Sequence, residues 1–283
     1  MTNLPNLPEF NVSEVLRANG VRPDKSLGQN FLQDDSALRK IIEIAMLSPT
    51  DSVLEVGPGL GSLTRYLASI TRQVYAVELD EELLPILNSV LKGYKNVRVI
   101  QNDILKIQIS DLIQDKDYIV VANIPYYITS AIIRHLLEGS PRPQRIVLTI
   151  QKEVAQRICA EQGDMSLLAL SVQVFGKPEI KTDISASCFF PPPNVDSSVI
   201  RIQTFPEPAI PSEDLDLFFR LAKAGFSQKR KTLRNSLAGG LSIPSAAAER
   251  LLQSAGIDPK RRAETLSIPE WSVLTKTADV LNI

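Results

Sequence analysis

Five short runs rich in Val and Ile recur between residues 52 and 150, separated by stretches with helical spacing. This alternation limits the fold more than any other feature of the chain. "SVLEVG" (52–57), "QVYAVEL" (73–79), "VRVIQND" (97–103), "DYIVVAN" (117–123) and "RIVLTI" (145–150) read as buried strands bounded by turn residues. Residues 63–70, 81–91 and 130–137 read as the intervening helices. Strand followed by helix, repeated, predicts an α/β fold with a mostly parallel, doubly wound sheet covered on both faces.

Beyond residue 150 two helices (152–160 and 166–174) precede two further strands, near 179–185 and 197–204, which flank "FFPPPNVDSS". Such a late hairpin adds antiparallel strands at the sheet edge. "TFPEPAIPSED" (204–214) carries three prolines and marks a linker. The remainder reads as wholly helical, over 212–225, 228–238, 245–255 and 269–281. The expected organisation is a leader over 1–24, an α/β domain over 25–208 and a small helical domain over 209–283.

Composition excludes several classes. No apolar run approaches the ~20 residues of a membrane span, and "MTNLPNLPEF" lacks the basic start of a secretory signal. Cys159 and Cys188 make no disulfide framework, no Cys/His cluster suggests a metal, and the single His135 has apolar neighbours. A cytoplasmic protein without a metal is expected. Net charge is −1, so any affinity for nucleic acid must come from local charge. "KAGFSQKRKTLR" (223–234) supplies it, with Lys223, Lys229, Arg230, Lys231 and Arg234 and no acid. Taken alone, such a run also suits a solvated helix face.

"LEVGPGLGSLT" (54–64) sets Gly57, Gly59 and Gly61 between the first strand and a helix. Glycines there let the backbone bend tightly and approach a ligand. The spacing is G-x-G-x-G with Ser62 next, not the G-x-G-x-x-G of a dinucleotide fingerprint, and Glu55 stands in the strand itself. That acidic start resembles the first motif of S-adenosylmethionine (SAM)-dependent methyltransferases. A carboxylate suits a ligand with an ammonium and a sulfonium better than one with a pyrophosphate. Glu78 ends the second strand about 20 residues on, where an acid grips ribose hydroxyls. Asp103 ends the third, where it can accept from an adenine amino group. Ligands of open α/β sheets gather at these strand ends.

The fourth strand ends in "NIPY" (123–126), which resembles the Asn-Pro-Pro-Tyr motif of methyltransferases acting on exocyclic amines of nucleobases. Adenine's N6 lone pair is delocalised, so the amine attacks poorly. Two acceptors facing its N–H bonds favour a more tetrahedral, more nucleophilic nitrogen. The side-chain oxygen of Asn123 and the backbone carbonyl of Ile124 are the candidates, stiffened by Pro125. Tyr126 offers a face for a displaced base, worth ~1–3 kcal/mol. No strong general base is needed, because alignment and fixed acceptors carry a direct displacement.

With these motifs the chain resembles the ribosomal RNA adenine dimethyltransferase family from about Lys25 to Ile268, and within it the small-subunit group. "KSLGQNFL" (25–32), "VLEVGPGLGSLT", "VELD", "NDIL", "NIPYYITS", "QKEVAQRI" (151–158), "FFPPPNVDSSVI" (189–200) and "FSQKRKTLRNSL" (226–237) carry the resemblance in order. It implies a Rossmann-like methyltransferase sheet and SAM contacts at Asn30, Leu32, Gly57, Gly59, Glu78, Asp103 and Asn123. It also implies a second stacking ring at Phe189 opposite Tyr126, although Phe190 stands where a smaller residue is common. Ala131 stands where proline is frequent. The implied activity is dimethylation of N6 on two adjacent adenosines near the 3′ end of small-subunit rRNA, in ribosome biogenesis. The implied partner is an immature ribosomal subunit met by a monomer, with phosphate contacts from Lys229, Arg230, Lys231 and Arg234. The alternatives are a large-subunit dimethyltransferase of the macrolide-resistance type, a non-catalytic nucleic-acid factor of the same fold, and a DNA adenine methyltransferase.

Overall fold

The computed structural model describes residues 5–115 and 117–281; the first four residues of the expected leader lie outside them. The chain divides into two compact units, Met1–Ala155 with Pro178–Thr204, and Gln156–Lys177 with Phe205–Ile283. The chain thus leaves the first unit after residue 155, returns at 178 and leaves again after 204.

Among the described residues the strands, in chain order, are β1 Phe31–Leu32, β2 Ser52–Val56, β3 Gln73–Glu78, β4 Val97–Gln101, β5 Tyr118–Asn123, β6 Arg145–Gln151, β7 Gly176–Ile184, β8 Phe189–Phe190 and β9 Ser197–Thr204, almost all of them in the first unit. Seven of them form one sheet in the order β4-β3-β2-β5-β6-β9-β7. All pairings from β4 to β6 are parallel, and β9 runs antiparallel to β6. The expected mixed sheet is therefore present. The chain runs outward from β2 to β4, then crosses back to β5, so strand order reverses between β2 and β5. A crevice opens at the carboxyl ends of strands at such a switch point.

Burial follows from that topology. Every residue of β2 is buried, as are the first five of β5, whereas edge strand β4 is half-exposed. Central strands covered on both faces are largely apolar, so Val, Leu and Ile run on without strict alternation; Ser52 and Glu55 of β2 are buried exceptions. Val53, Val74, Val121, Val147 and Val199 share one core cluster with Ile41, Tyr66 and Leu67. Each such side chain contributes roughly 1.5–3 kcal/mol.

The helices in chain order are α1 Val12–Ala18, α2 Asp35–Ala45, α3 Ser62–Ile70, α4 Leu84–Val90, α5 Ile109–Leu112, α6 Thr129–Glu138, α7 Lys152–Ile158, α8 Leu167–Gln173, α9 Leu215–Phe226, α10 Leu233–Leu241, α11 Ser245–Ser254 and α12 Ile268–Val280. Helix α2 has no counterpart in the sequence reading, yet its signals are plain. Asp34 accepts the N–H of Ala37 at 2.8 Å, and Ala37, Leu38, Ile41, Ile42 and Ala45 bury one stripe. Also unforeseen is the two-stranded pairing of β1 with β8, which sets Leu32 opposite Phe189 and Phe31 opposite Phe190.

In the second unit α9 and α10 cross closely. A Cβ on Gly240 would sit 2.5 Å from Cα of Ala224, so only glycine permits the approach. Trp271 is fully buried, with Phe218 edge-on at 6.3 Å and Phe226 stacked at 6.0 Å. The helix expected over 228–238 begins instead at Leu233. The backbone N–H groups of Leu233 and Arg234 donate to the carbonyls of Arg261 (2.6 Å) and Pro259 (3.3 Å). Those tertiary partners satisfy the first turn of α10, and 227–232 becomes the loop that reverses direction.

Candidate active site

At the carboxyl ends of β2, β3, β4 and β5 one cavity gathers the separate sequence signals. Asn30, Leu32, Gly57, Gly59, Glu78, Asp103, Asn123, Ile124, Pro125 and Tyr126 all line it. The register explains the convergence. Glu78 pairs with Gln101, two residues before Asp103, and Leu54 pairs with Val120, so Gly57 and Asn123 leave adjacent strands at one level.

The glycine loop takes positive φ at Gly57 (68°), Gly59 (58°) and Gly61 (88°), a region costly for other residues. A Cβ on Gly59 would lie 2.9 Å from the Phe31 ring, so the loop is packed from above by the 25–32 segment. Glu78 is 6% exposed and accepts from the backbone N–H of Gly59 and of Asp80, each at 2.9 Å. Burial raises its pKa, and those two donors pull it back. Asp103 caps the short 3-10 turn Ile104–Lys106 through the N–H of Leu105 at 3.0 Å, while still lining the cavity. The turn-capping and ligand-facing readings of this acid are therefore compatible.

Glu55 is 1% exposed at the cavity floor, and its Oε2 has no hydrogen-bond partner. Desolvation pushes its pKa up to about 8; Thr64 opposes the rise and the Glu78 charge adds to it. The cavity thus holds Glu55, Glu78 and Asp103, and its described lining contains no Lys, Arg or His. Three acidic groups, one of them with an orphaned oxygen, favour a positively charged ligand, although Lys106, outside the lining, lies 3.8 Å from Asp103.

Asn123, half-buried at the end of β5, donates from Nδ2 to the backbone carbonyl of Asn30 at 3.0 Å. That bond turns the amide so that its oxygen is left as an acceptor. Asn123 does not cap the following helix: a 3-10 turn at Tyr126–Ile128 intervenes, and Ile128 occupies the cap of α6 without a side-chain bond. Tyr126 is half-buried, its hydroxyl 2.6 Å from Oγ of Ser197.

Phe189 lies elsewhere. It is 2% exposed, packed among Leu32, Ile184 and Val199, and is not part of the cavity lining. Phe190 is partly buried beside Phe31 and Leu60. Lys229, Arg230 and Lys231 stand exposed on the loop between α9 and α10, whereas Arg234 is half-buried and paired with Glu249 at 3.2 Å. His135 faces the carbonyl of Ile107 at 3.0 Å.

Three contributors escaped the sequence reading. Gln29 donates to Asp80 at 2.6 Å and so ties the 25–32 segment to the end of β3. Phe31 fills the space above Gly59. Tyr127 is 58% exposed at the cavity rim, and a Cβ on Gly28 would meet its ring at 3.2 Å. A polar pair 51 residues apart leaves no local pattern, but two adjacent tyrosines at a strand end were a visible signal. Among the described residues no helix is long and apolar enough to cross a membrane.

The model of the ribosomal RNA adenine dimethylase family matches residues 21–279. A relative named ribosomal RNA small subunit methyltransferase A, from Dehalococcoides mccartyi, is 47% identical over 264 residues, covering 92% of this chain and 90% of that protein. Among solved structures, a dimethyladenosine transferase from Plasmodium falciparum superposes with a TM-score of 0.75 at 25% identity, covering 89% of this chain and 98% of that one. The 23S rRNA methyltransferase ErmE superposes with a TM-score of 0.69 at 29% identity, covering 88% and 100%.

Proposed function

The chain belongs to the ribosomal RNA adenine dimethylase family, and from that premise we propose how its residues act on small-subunit rRNA within an immature ribosomal subunit. It is an rRNA adenine dimethyltransferase of the small-subunit type, acting on N6 of two adjacent adenosines near the RNA's 3′ end. The methyl donor is SAM, and the working unit is a cytoplasmic monomer.

The observation that carries the mechanism is the Asn123–Asn30 bond at 3.0 Å. An amide free to rotate would offer the substrate amine either a donor or an acceptor. Held by the Asn30 carbonyl, Asn123 offers its oxygen. Together with the Ile124 carbonyl it accepts from the two N–H bonds of the target amine and concentrates the lone pair on nitrogen. Pro125 limits the backbone between the two acceptors. Donors and acceptors fixed before the reaction cost no reorganisation during it. The adenine must first be unpaired or flipped out, and the Tyr126 face receives it. The proton passes to water after transfer.

The cavity fits SAM by its charge. Ammonium and sulfonium groups match a lining that holds three acidic side chains and no Lys, Arg or His, and Glu78 and Asp103 are disposed for ribose and adenine. When bound there, SAM supplies an electrophilic methyl group. Gly57 and Gly59 let the backbone approach it, and Asn30 and Leu32 cover it. Lys229, Arg230 and Lys231 contact RNA phosphates, which position the substrate, while the unpaired base supplies selectivity. Residues 209–283 serve as the domain that holds the subunit.

The likeness to a 23S rRNA enzyme at 29% identity favours a second reading, action on the large subunit. Purified protein, SAM and immature subunits of both kinds decide between them. Mass spectrometry should find N6,N6-dimethyladenosine in small-subunit RNA. Dimethylation confined to large-subunit RNA would reverse the assignment, and no transfer to either would leave a binding factor.

A further inference from the structure

We infer that Ser197 is a positioning residue for the target base, acting through the hydroxyl of Tyr126 to hold the stacking ring in place. The inference rests on the proposed role of Tyr126 as the base platform.

Ser197 opens β9, is fully buried, and lies opposite Gln151 of β6. The "NIPY" loop leaves β5, two strands away in the sheet. A buried hydroxyl needs a partner, and Ser197 Oγ has the Tyr126 hydroxyl at 2.6 Å, across 71 residues of sequence. The serine's own position is strongly determined. On its N-terminal side the Asp196 carbonyl accepts from the N–H of Lys152 (3.1 Å), and Asp196 Oδ1 accepts from the N–H of Ala186 (3.0 Å). On its C-terminal side Ser198 donates to Asp183 at 2.6 Å. A hydroxyl fixed by strand pairing and by both neighbours therefore holds a ring that sits on a loop.

The consequence follows from tyrosine's geometry. Its oxygen lies on the axis of ring rotation, so anchoring it leaves ring flips about that axis largely unaffected. It does resist the swing about the Cα–Cβ bond that would carry the ring off the site. A base stacks productively only when the platform is in place beforehand, since even small misplacement of a substrate is costly. The sheet thereby transmits its rigidity to the loop carrying the acceptors. The sequence "VDSS" after the proline run, which the other assignments leave without a role, acquires one.

A double-mutant cycle on methylation of immature small subunits tests this. Ser197→Ala and Tyr126→Phe, which keeps the ring, should each lower kcat/KM about tenfold, the net worth of one hydrogen bond. Their combination should cost no more than the worse single change. Ser197→Thr, which keeps the hydroxyl, should retain most activity, and SAM affinity of the Ser197 variants, whose residue lies outside the cavity lining, should be unchanged, which reports an intact fold. Additive losses, or a Ser197→Ala enzyme with full activity, would overturn the inference. Fluorine NMR of 3-fluorotyrosine-labelled protein reads the bond without any substrate. Ser197→Ala should shift the Tyr126 resonance, assigned by its disappearance in Tyr126→Phe; an unmoved resonance also overturns it. If the wild-type protein methylates nothing, the proposed function fails, while the NMR result still decides whether the serine holds the ring.

Discussion

The side-chain nitrogen of Asn123 donates to the backbone carbonyl of Asn30, 3.0 Å away across 93 positions of sequence. One bond thereby joins the segment that covers the cavity to the residue that ends β5, and it leaves the amide oxygen as the free acceptor.

Removing that amide separates chemistry from binding. Asn123→Ala should bind immature subunits nearly as wild type but lose about 10²–10³-fold in kcat, the usual cost of one preorganised transition-state partner. Single-turnover methyl transfer with saturating SAM measures it. Near-wild-type turnover would remove Asn123 from the mechanism.

Glu55 predicts a pH-dependent affinity for SAM. Its pKa of about 8 exceeds the ordinary value of 4.5, so the free enzyme holds a proton there at neutral pH. Between about 4.5 and 8 the folded state binds more protons than the unfolded one, so stability of the free enzyme falls as pH rises through that window. A cationic ligand favours the ionised form. SAM binding should therefore release protons below pH 8, and affinity should rise with pH by up to about tenfold per unit. Calorimetry in buffers of different ionisation enthalpy reads the protons directly. Glu55→Gln should lose this dependence; an unchanged proton release would assign it to another group.

Gly59 is constrained twice, by a φ of 58° and by the Phe31 ring 2.9 Å from where a Cβ would stand. Gly59→Ala should destabilise the protein by about 1–3 kcal/mol and weaken SAM binding tenfold or more. Thermal unfolding and equilibrium dialysis report the two effects separately.

The exposed loop cations should act through phosphate charge. Neutralising Lys229, Arg230 and Lys231 together should flatten the dependence of log affinity on log salt by roughly 0.7–0.9 for each phosphate they no longer neutralise. Arg234 should behave differently, because it is paired with Glu249 at 3.2 Å. Arg234→Ala should change the salt slope less than neutralising any one of Lys229, Arg230 or Lys231 does. Filter binding of immature subunits across a salt series distinguishes the two patterns.

The sheet was legible because its central strands are buried on both faces, which favours runs of Val and Ile over strict alternation. The carboxylates at the strand ends were legible because fold topology alone brings consecutive strand ends to one edge. The helix over Asp35–Ala45 could have been read from its Asp34 cap and apolar stripe. The start of α10 could not, since its first N–H groups are satisfied by the carbonyls of Pro259 and Arg261. Nor could the burial of Phe189, which depends on its pairing with Leu32.

By itself the sequence determined the parallel sheet, the ligand edge and the residue types of the site, because these follow from local periodicity and from order along the chain. Only the tertiary structure decided the orientation of the Asn123 amide, the anchoring of Tyr126 by Ser197 and the isolation of Glu55 from any cation. Each depends on which groups meet across 71 or more residues or on what a cavity lining lacks. Hydrogen bonds and desolvation act over a few ångströms of space, a distance that spacing along the chain does not encode.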